Sequence, residues 1–354
     1  MTQRAVCLRY FGFGLRAIIS TEMAEKPAHI VFAFVLLCFV GCGTTSPPTN
    51  NPRGENSTNT TDSFPLTITD ARNLEVTLQK CPSRIVSLAP SITESLFAVG
   101  AADQVVGVTD QCNYPPEAKQ CQKVGGFDWT SVSMERLVSL KPDLVVATGK
   151  QHSRVIERLN QFRIPVVLVD PESIQDVYDT LLLLGKITSH RQQAKELVAS
   201  MKRRVAETRL RVGYINKHDR VRVFYQVYDE PLMTATGNTY IGEMIELAGG
   251  ENIFATLEGT YPTVSMESLV ALNPEVILAP THGTSVSKIV SRPGASHIDA
   301  VKDNRVHLLN ADIVSRPGPR LAEGMEQVAR ALYPEQFGSR DAGTKRERVK
   351  GADK

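Results

Sequence analysis

Residues 132–147 read VSMERLVSLKPDLVVA, and residues 264–279 read VSMESLVALNPEVILA. Nine of the sixteen positions are identical, and the two copies are offset by 132 residues. Each copy predicts a serine N-cap, a helix of about two turns, a turn that contains proline, and a buried strand. A repeat at this separation indicates two lobes that share one architecture.

Short β-branched runs alternate with amphipathic stretches around both copies, a pattern typical of α/β folds. The apolar runs are nearly continuous, as expected of parallel strands buried on both faces. Strands are predicted at Arg84–Ala89, Val105–Val108, Leu144–Ala147, Val166–Val169, Val221–Tyr225, Val276–Ala279 and Val306–Leu309. Residues 91–94 read SITE and predict a capping box that opens a helix. Further helices are predicted near Ile241–Ala248 and Arg320–Leu332.

One helical stretch separates the two halves. The segment from Ser173 to Val212 contains no proline and one glycine. A helix of about 20 residues measures about 30 Å and can span two packed lobes, so lobe closure is expected to be small. The predicted fold is therefore two α/β lobes with mainly parallel sheets, joined by one long rigid α-helix. The predicted segments are a signal peptide at 1–42, a flexible tether and lead-in at 43–80, an N-terminal lobe at 81–187, the linking helix at 188–212, a C-terminal lobe at 213–337 and a disordered tail at 338–354.

The N-terminal region predicts export and a lipid anchor. The apolar run His29–Cys42 is too short for a stable membrane span but has the length of a signal-peptide core, and basic residues precede it. Its end, Phe39–Cys42, is similar to a bacterial lipobox, in which the cysteine is lipidated and becomes the mature N-terminus. The expected location is periplasmic or at the cell surface, anchored to a membrane through Cys42. A plain secretory signal with an incidental cysteine is the alternative, and either Met1 or Met23 could be the start.

Three cysteines follow the predicted signal and Cys42, in a compartment that permits disulfides. Cys112 and Cys121 bracket a short loop with two prolines, and a disulfide between them is predicted. The alternative is three free thiols, Cys81 being the third. Metal binding is the least favoured use, because the spacing matches no zinc pattern.

Composition and motifs argue against several functional classes. The 354-residue chain is 42% hydrophobic and 22% charged with a net charge of +2, which lacks the basic excess of nucleic-acid-binding proteins. It has no P-loop, G-x-S-x-G, H-E-x-x-H or strand-linked G-x-G-x-x-G motif, and its seven histidines are scattered. No catalytic residue, metal site or cofactor is therefore predicted, and a monomer is expected. The rival hypotheses are an enzyme, a metal-ion-binding protein, and a lipoprotein that keeps the fold for adhesion or signalling.

The repeat also supplies candidate functional residues. Glu135 and Glu267 lie in the first turns of the two repeated helices, where the helix dipole favours anions, and a purely structural role is the alternative. A matched pair of exposed carboxylates suits docking onto a two-fold-symmetric partner that bears arginines. Trp129 and Tyr261 each lie six residues upstream of these glutamates, and loop aromatics often contact ligands.

Four longer motifs occur in the order found in one family. They are RIVSLAPSITESLFAVGAADQVVGVTDQCNYPPEA from Arg84, VGGFDWTSVSMERLVSLKPDLVVA from Val124, GGENIF from Gly249 and SRPGPRLAEGMEQ from Ser315. From about Cys81 to Phe337 the chain resembles the periplasmic iron-siderophore/vitamin B12-binding family, and especially its vitamin B12-binding members. The resemblance implies two α/β lobes joined by a rigid helix, a small-molecule ligand held in the cleft between them, and delivery to an ABC permease with its ATPase.

The resemblance also implies roles for individual residues. Glu135 and Glu267 match two glutamates that bind permease arginines, and Tyr261 stands where the vitamin B12-binding members have tryptophan. The expected ligand is cobalamin or a related corrinoid, whose broad amide-edged face suits flat aromatics and a few polar groups. A ferric siderophore or haem is the alternative, and an anionic siderophore would favour clustered cationic side chains. The implied ligand contacts are Tyr114, Trp129, Tyr261, Asp312 and Arg316.

Overall fold

The computed structural model describes residues 63–126, 130–149 and 153–338. The predicted signal peptide, most of the tether, Cys42, Trp129 and nearly all of the predicted tail lie outside the described residues. No helix within these ranges is both long enough and apolar enough to cross a bilayer.

The first described element is an antiparallel hairpin of β1 (Leu66–Thr69) and β2 (Glu75–Leu78). Alternation along both strands buries Ile68 and Leu78 in the core. Asp70, after β1, accepts hydrogen bonds from Arg72 and from the backbone N–H of Leu168, which ties the hairpin to the N-terminal lobe. Residues 66–78 are thus a docked hairpin, and they occupy the lead-in part of the segment predicted over 43–80.

A parallel sheet of five strands forms the N-terminal lobe. Its strands are β3 (Ile85–Ser87), β4 (Val105–Val108), β5 (Gln122–Lys123), β6 (Leu144–Thr148) and β7 (Val166–Val169). The spatial order is β5-β4-β3-β6-β7, and every neighbouring pair is parallel. The helices of this half are α1 (Pro90–Ala98), α2 (Met134–Ser139), α3 (Ser153–Gln161) and α4 (Ile174–Ile187).

The long helix between the two sheets is α5 (Arg191–Val212), which has 22 residues. At 1.5 Å per residue it measures about 33 Å. It begins three residues after the start of the predicted linker, because Ser189 adopts a positive φ of 62° and breaks the run from α4. The link between the lobes is therefore a pair of helices, α4 and α5, that pack against each other.

The C-terminal lobe repeats the parallel arrangement. Its strands are β8 (Val221–Tyr228), β9 (Met233–Thr234), β10 (Gly250–Asn252), β11 (Val276–Pro280) and β12 (Val306–Leu309). The parallel order is β10-β8-β11-β12, and β9 pairs antiparallel with β8. The helices are α6 (Tyr240–Leu247), α7 (Met266–Leu272), α8 (Val286–Val290), α9 (Asp299–Lys302), α10 (Ala311–Val314) and α11 (Leu321–Leu332).

One apolar cluster runs through both lobes. It contains Leu184 of α4, Met201 of α5 and Met325 of α11, each at most 3% exposed. It also includes side chains from one face of each sheet, among them Val146 of β6 and Leu278 of β11. The opposite sheet faces form two separate clusters, one in each lobe. Because the interior is close-packed across the junction, the lobes are held in one relative arrangement.

The repeated segments occupy equivalent places in the two sheets. In each lobe a short helix, α2 or α7, leads to a central strand, β6 or β11. Between helix and strand, Lys141 and Asn273 both adopt a left-handed backbone, with φ of 47° and 44°, immediately before a proline. The two positions are 132 residues apart, the offset of the repeat. The duplicated segments therefore share the backbone conformation of this turn, although the residues that adopt it, lysine and asparagine, differ.

A duplicated arginine–carboxylate clamp fixes these strands. Arg84 donates its backbone N–H to the Asp143 carboxylate and its guanidinium to the carbonyl that ends α2. Arg222 makes the matching contacts to Glu275 and to the last carbonyl of α7. Each clamp joins the start of one strand to the start of its neighbour, and so sets the register between β3 and β6 and between β8 and β11.

We expect Asp143→Ala to lower the free energy of unfolding by about 1–3 kcal/mol, because the N–H groups of Ser83 and Arg84 lose their acceptor. The measurement is urea unfolding followed by far-UV circular dichroism. Lys80→Ala is the control, since its 3.9 Å ion pair with the same carboxylate is exposed and should contribute below about 0.5 kcal/mol. Equal effects of the two substitutions would contradict the clamp.

Candidate functional site

Ion pairs from the C-terminal lobe converge on one buried carboxylate of the N-terminal lobe. Glu94, on α1, is 2% exposed. Arg320 approaches it with two parallel hydrogen bonds, Nε to Oε2 and Nη2 to Oε1, each 2.7 Å. Arg316 donates from Nη1 to the same Oε1 at 2.8 Å. A carboxylate at this depth is stable only because both guanidiniums balance its charge and fill its lone pairs.

The predicted capping box at residues 91–94 is therefore wrong. Helix α1 begins at Pro90 with Ala89 as its N-cap, and no side chain caps it. Because the helix starts at Pro90, Glu94 is its fifth residue and does not stand at the third position, from which a capping-box carboxylate reaches back to the N-cap N–H. Glu94 instead points across the cleft to the other lobe.

A second layer of hydrogen bonds extends this network. Asp312, on α10, accepts from Arg316 Nη2 at 2.6 Å and from the Asn113 amide at 3.0 Å. The side-chain oxygen of Asn113, Oδ1, accepts a hydrogen bond from Arg316 Nη1 at 2.7 Å. His282 lies 3.8 Å from the Asp312 carboxylate. Asn113 belongs to the loop after β4, so both the helix and the loop of the N-terminal lobe hold the C-terminal lobe.

Tyr114 forms an aromatic surface beside these charges. The guanidinium of Arg320 lies 4.0 Å from the centroid of its ring, a stacked cation–π contact. The side chain is still 43% exposed. Burial alone would lower the pKa of Arg320, but the hydrogen bonds and charge of Glu94 raise it above its ordinary value. Arg320 therefore stays charged and keeps the Tyr114 ring in place.

The formal charges of this interlobe network cancel. Two carboxylates, Glu94 and Asp312, face two guanidiniums, Arg316 and Arg320. The side chains of Glu94, Arg316 and Arg320 are 2%, 13% and 15% exposed, so the compensation takes place in a poorly solvated region. We refer to these four residues and Asn113 as the interlobe network.

Tyr261 belongs to a different group, built from tyrosines of the C-terminal lobe. The Tyr240 and Tyr225 phenols lie close enough to it for their ionisations to be coupled. Burial raises the pKa of all three phenols, and the negative charge of Glu172 raises that of Tyr261 further. The three phenols are therefore protonated at neutral pH. Glu172 follows β7, so this group also faces the N-terminal lobe.

Four of the five predicted ligand contacts lie among the described residues, in two groups. Tyr114, Asp312 and Arg316 come together at the interlobe network, Tyr261 lies with the other tyrosines, and Trp129 is outside the described residues. Sequence reasoning did not assign a role to Glu94, Asn113 or Arg320 at the site. Arg320 and Asn113 stand inside quoted motifs, but only the fold brings them within 3 Å of their partners.

The two repeated glutamates are exposed at equivalent positions. Glu135 and Glu267 follow serine N-caps, Ser133 and Ser265, each of which accepts a backbone N–H from the first turn. Hydrogen bonds from its own backbone N–H and from the Ser265 hydroxyl lower the pKa of Glu267. Both helices run back from the carboxyl edge of their sheet, so the two anions lie at corresponding edges of the lobes.

The predicted Cys112–Cys121 disulfide is not formed, and Cys81, Cys112 and Cys121 are free thiols. Cys112 is 1% exposed, and its sulfur is held by the hydroxyls of Thr93 and Thr109. The Cys121 sulfur instead faces the carbonyl of Val105. Each sulfur thus has its own polar partners in the lobe. Burial raises the pKa of the Cys121 thiol.

Comparison with known proteins identifies the family. The model of the family described as periplasmic binding protein matches residues 85–313. The chain belongs to that family. An uncharacterized ABC transporter substrate-binding lipoprotein of Bacillus subtilis is 36% identical to this chain over 315 residues, which cover 88% of this chain and 97% of the relative.

Two solved structures show how varied the ligands of similar proteins are. The periplasmic vitamin B12-binding protein of Vibrio cholerae is 28% identical, with a TM-score of 0.61 over 73% of this chain and 99% of that one. The periplasmic heme-binding protein of Roseiflexus sp. RS-1, in its apo form, is 25% identical, with a TM-score of 0.64 over 72% of this chain and 99% of that one.

These findings confirm the family resemblance and the two-lobed α/β fold with a helical backbone. The protein is a substrate-binding protein of an ABC transporter, a class that binds small ligands and works with a permease and an ATPase. The family consists of binding proteins rather than enzymes. Among the described residues, no group of three or more histidine, cysteine, aspartate or glutamate side chains could hold a metal ion.

We expect Glu94→Gln to lower the free energy of unfolding by about 2–4 kcal/mol, because two poorly solvated guanidiniums lose the charge that balances them. Chemical denaturation of the purified protein measures this loss. Glu326→Gln is a matched control, since Glu326 also accepts from two arginines but is more exposed, and its loss should stay below about 1 kcal/mol. A similar, small effect for both would contradict the central role of Glu94.

Proposed function

We propose that this protein captures cobalamin or a related corrinoid between its lobes and delivers it to the permease of an ABC importer. The observation that carries the proposal is the charge-balanced interlobe network with the exposed face of Tyr114 beside it. A corrinoid is broad, flat in its ring, edged with amides and of low net charge. Such a ligand needs aromatic surface and neutral hydrogen-bonding groups rather than free cations.

Both lobes carry exposed aromatic side chains, which we assign to the walls of the cleft. Tyr114 is 43% exposed in the N-terminal lobe, and Tyr261 is 36% exposed in the C-terminal lobe. Tyr228, at the carboxyl end of β8, is 59% exposed and belongs to the same lobe as Tyr261. Tyrosine supplies a flat apolar face with a polar edge, which suits contact with an amide-bearing macrocycle.

Charge argues against an anionic siderophore as the main ligand. The two arginines of the interlobe network are already paired with Glu94 and Asp312, and Arg316 has hydrogen bonds from both of its terminal nitrogens. An anionic ligand would have to break these pairs before it gained the same charge. Exchange of one carboxylate for another gives little net affinity.

The tyrosine group favours a ligand that makes hydrogen bonds. A tyrosine binds ferric iron as a phenolate, and a raised pKa adds to the free-energy cost of that deprotonation. Burial and the charge of Glu172 raise the pKa of Tyr261, and burial also raises that of Tyr240. The phenols are therefore suited to hydrogen bonding with a ligand whose metal already carries its own ligands, as cobalt does in cobalamin.

We expect cyanocobalamin to quench the fluorescence of Trp129, the single tryptophan of the chain, and to bind in the micromolar range or tighter. Cobalamin absorbs in the region of tryptophan emission, so bound ligand quenches by energy transfer as well as by contact. Isothermal titration calorimetry of the same samples measures the affinity independently.

Ferric enterobactin, an anionic siderophore complex, and haemin are titrated in parallel, and free N-acetyltryptophanamide corrects for absorption by the ligand itself. A clear calorimetric response to ferric enterobactin or haemin, with none to cyanocobalamin at tens of micromolar, would overturn the corrinoid assignment. The family and the transport role would then stand, with the ligand changed.

We further propose that Glu135 and Glu267 dock the protein onto the permease. Both are exposed, both begin repeated helices, and the lobes that carry them are held apart by a close-packed core. Two fixed anions of this kind suit a partner that presents two arginines, because bidentate arginine–carboxylate pairs give both charge and geometry.

We expect Glu135→Arg combined with Glu267→Arg to abolish corrinoid uptake and leave cyanocobalamin affinity unchanged. Uptake of labelled cyanocobalamin into proteoliposomes with the cognate permease and ATPase measures the first effect, and calorimetry measures the second. Glu207→Arg with Glu251→Arg is the matched control, because it changes the net charge equally at two other exposed carboxylates. An equal loss of uptake in the control pair would remove the docking role.

The proposal includes a membrane anchor through lipidated Cys42. The support is the apolar run His29–Cys42 with its lipobox-like end, and the word lipoprotein in the name of the Bacillus subtilis relative. A polar segment then separates the anchor from the folded lobes. A tethered binding protein of this kind stays close to its permease, which raises the effective concentration of loaded protein.

A further inference from the structure

A small cavity in the C-terminal lobe is lined by residues outside the interlobe network. Its volume is about 280 Å³, and it is partly open. It lies where β8 and β11 end, at the carboxyl edge of the sheet. Pockets that hold a whole small ligand usually measure about 300–1,000 Å³. The size therefore suits one arm of a ligand rather than a complete ligand.

The cavity is lined by a buried glutamine with an unused acceptor. Gln226 is 1% exposed, and within the described part of the chain its Oε1 accepts no hydrogen bond. Its Nε2 points to Asp229 Oδ1 at 3.3 Å and to Thr284 Oγ1 at 3.4 Å. Because a carboxylate only accepts, the amide nitrogen must be the atom that faces Asp229. The orientation of the amide is thereby fixed, and Oε1 is left as the acceptor.

The two basic side chains beside the cavity, Lys288 and Arg292, are already paired with Asp229. Asp229 forms ion pairs with Lys288 and Arg292, and their hydrogen bonds overcome the effect of burial and lower its pKa. Glu230, which also lines the cavity, adds negative charge at the rim. An anionic group would meet both carboxylates, whereas a neutral group that donates N–H would meet the unused Gln226 oxygen.

The cavity adjoins the interlobe network through a shared neighbour. His282 lines the cavity and lies 3.8 Å from the carboxylate of Asp312. Tyr228, one of the exposed aromatics of this lobe, also lines it. A ligand whose face rests on these aromatics would therefore have its edge within reach of the cavity.

We propose that this cavity receives a neutral amide arm from the edge of the bound corrinoid, with the Gln226 Oε1 atom accepting its N–H. The inference rests on the proposed function and adds a determinant of specificity to it. An amide arm fits, because an unpaired buried acceptor is costly and the arm satisfies it. A carboxylate arm does not fit, because it brings no N–H and faces Asp229 and Glu230.

The test measures cyanocobalamin affinity of the wild type, Gln226→Met and Gln104→Met by calorimetry on the full-length protein. Methionine keeps the length of glutamine and removes the acceptor. We expect about three- to tenfold weaker binding for Gln226→Met, the effect of one hydrogen bond. Gln104 is the matched control, since its Oε1 is also buried without a partner but lies beside Thr188, away from the cavity. Its substitution should change nothing.

A second ligand series makes the readout specific. The propionamide monocarboxylic acids of cyanocobalamin each replace one amide by a carboxylate. We expect wild type to bind at least one of them about tenfold more weakly than cyanocobalamin, and Gln226→Met to lose most of that discrimination. Thr284→Val, which removes one partner that orients the amide, should give a smaller loss in the same direction if Gln226→Met is poorly folded.

The two proposals fail in different ways. Unchanged affinity and unchanged discrimination in the Gln226→Met protein, with wild type binding cyanocobalamin, would overturn the amide pocket alone. An equal loss in Gln104→Met would do the same, since the effect would then come from stability. Absence of cyanocobalamin binding to wild type would overturn the corrinoid function, and the amide pocket with it.

Discussion

The polar contacts between the two lobes at the candidate site depend on one carboxylate. Glu94 is buried, so its charge is tolerated only where two guanidiniums reach it, and both come from the other half of the chain. This requirement fixes the position of Arg316 and Arg320 relative to α1. Tyr114 stacks on Arg320 and Asp312 binds Arg316, so the groups that we propose as ligand contacts are positioned by the same pairing.

Much of the fold could be predicted from the sequence because its signals are local. Val105–Val108, Val166–Val169 and Val306–Leu309 are apolar runs with clear flanks, and the strands have these bounds. The hairpin at residues 66–78 was missed, since LTIT and EVTL are short and its anchor is a contact from Asp70 to a residue about a hundred positions away. Such docking leaves no periodic trace in a sequence.

The site was harder to predict, and Glu94 shows why. The motif SITE fits a capping box as well as any local rule allows, yet proline already begins the helix one residue earlier. The carboxylate is then available for partners more than 220 residues away. Tyr114, Asp312 and Arg316 were found through the family resemblance, not through spacing. The loop length between Cys112 and Cys121 predicts a disulfide, but each sulfur has a separate hydrogen-bond partner: Cys112 accepts from the Thr93 hydroxyl, and Cys121 donates to the Val105 carbonyl.

The apolar cluster that α4, α5 and α11 share has a consequence for how the molecule was assembled and how it can be altered. The turns at Lys141 and Asn273 still record two copies of one unit. Each copy keeps a separate apolar cluster on one face of its sheet, but the other face packs into an interior that both copies share. Separation of the halves would expose the inner face of each sheet and of the linking helices together. The lobes are thus related by duplication, like two domains, but they share one apolar interior and form a single folding unit. A substitution in that interior therefore changes the packing of both halves.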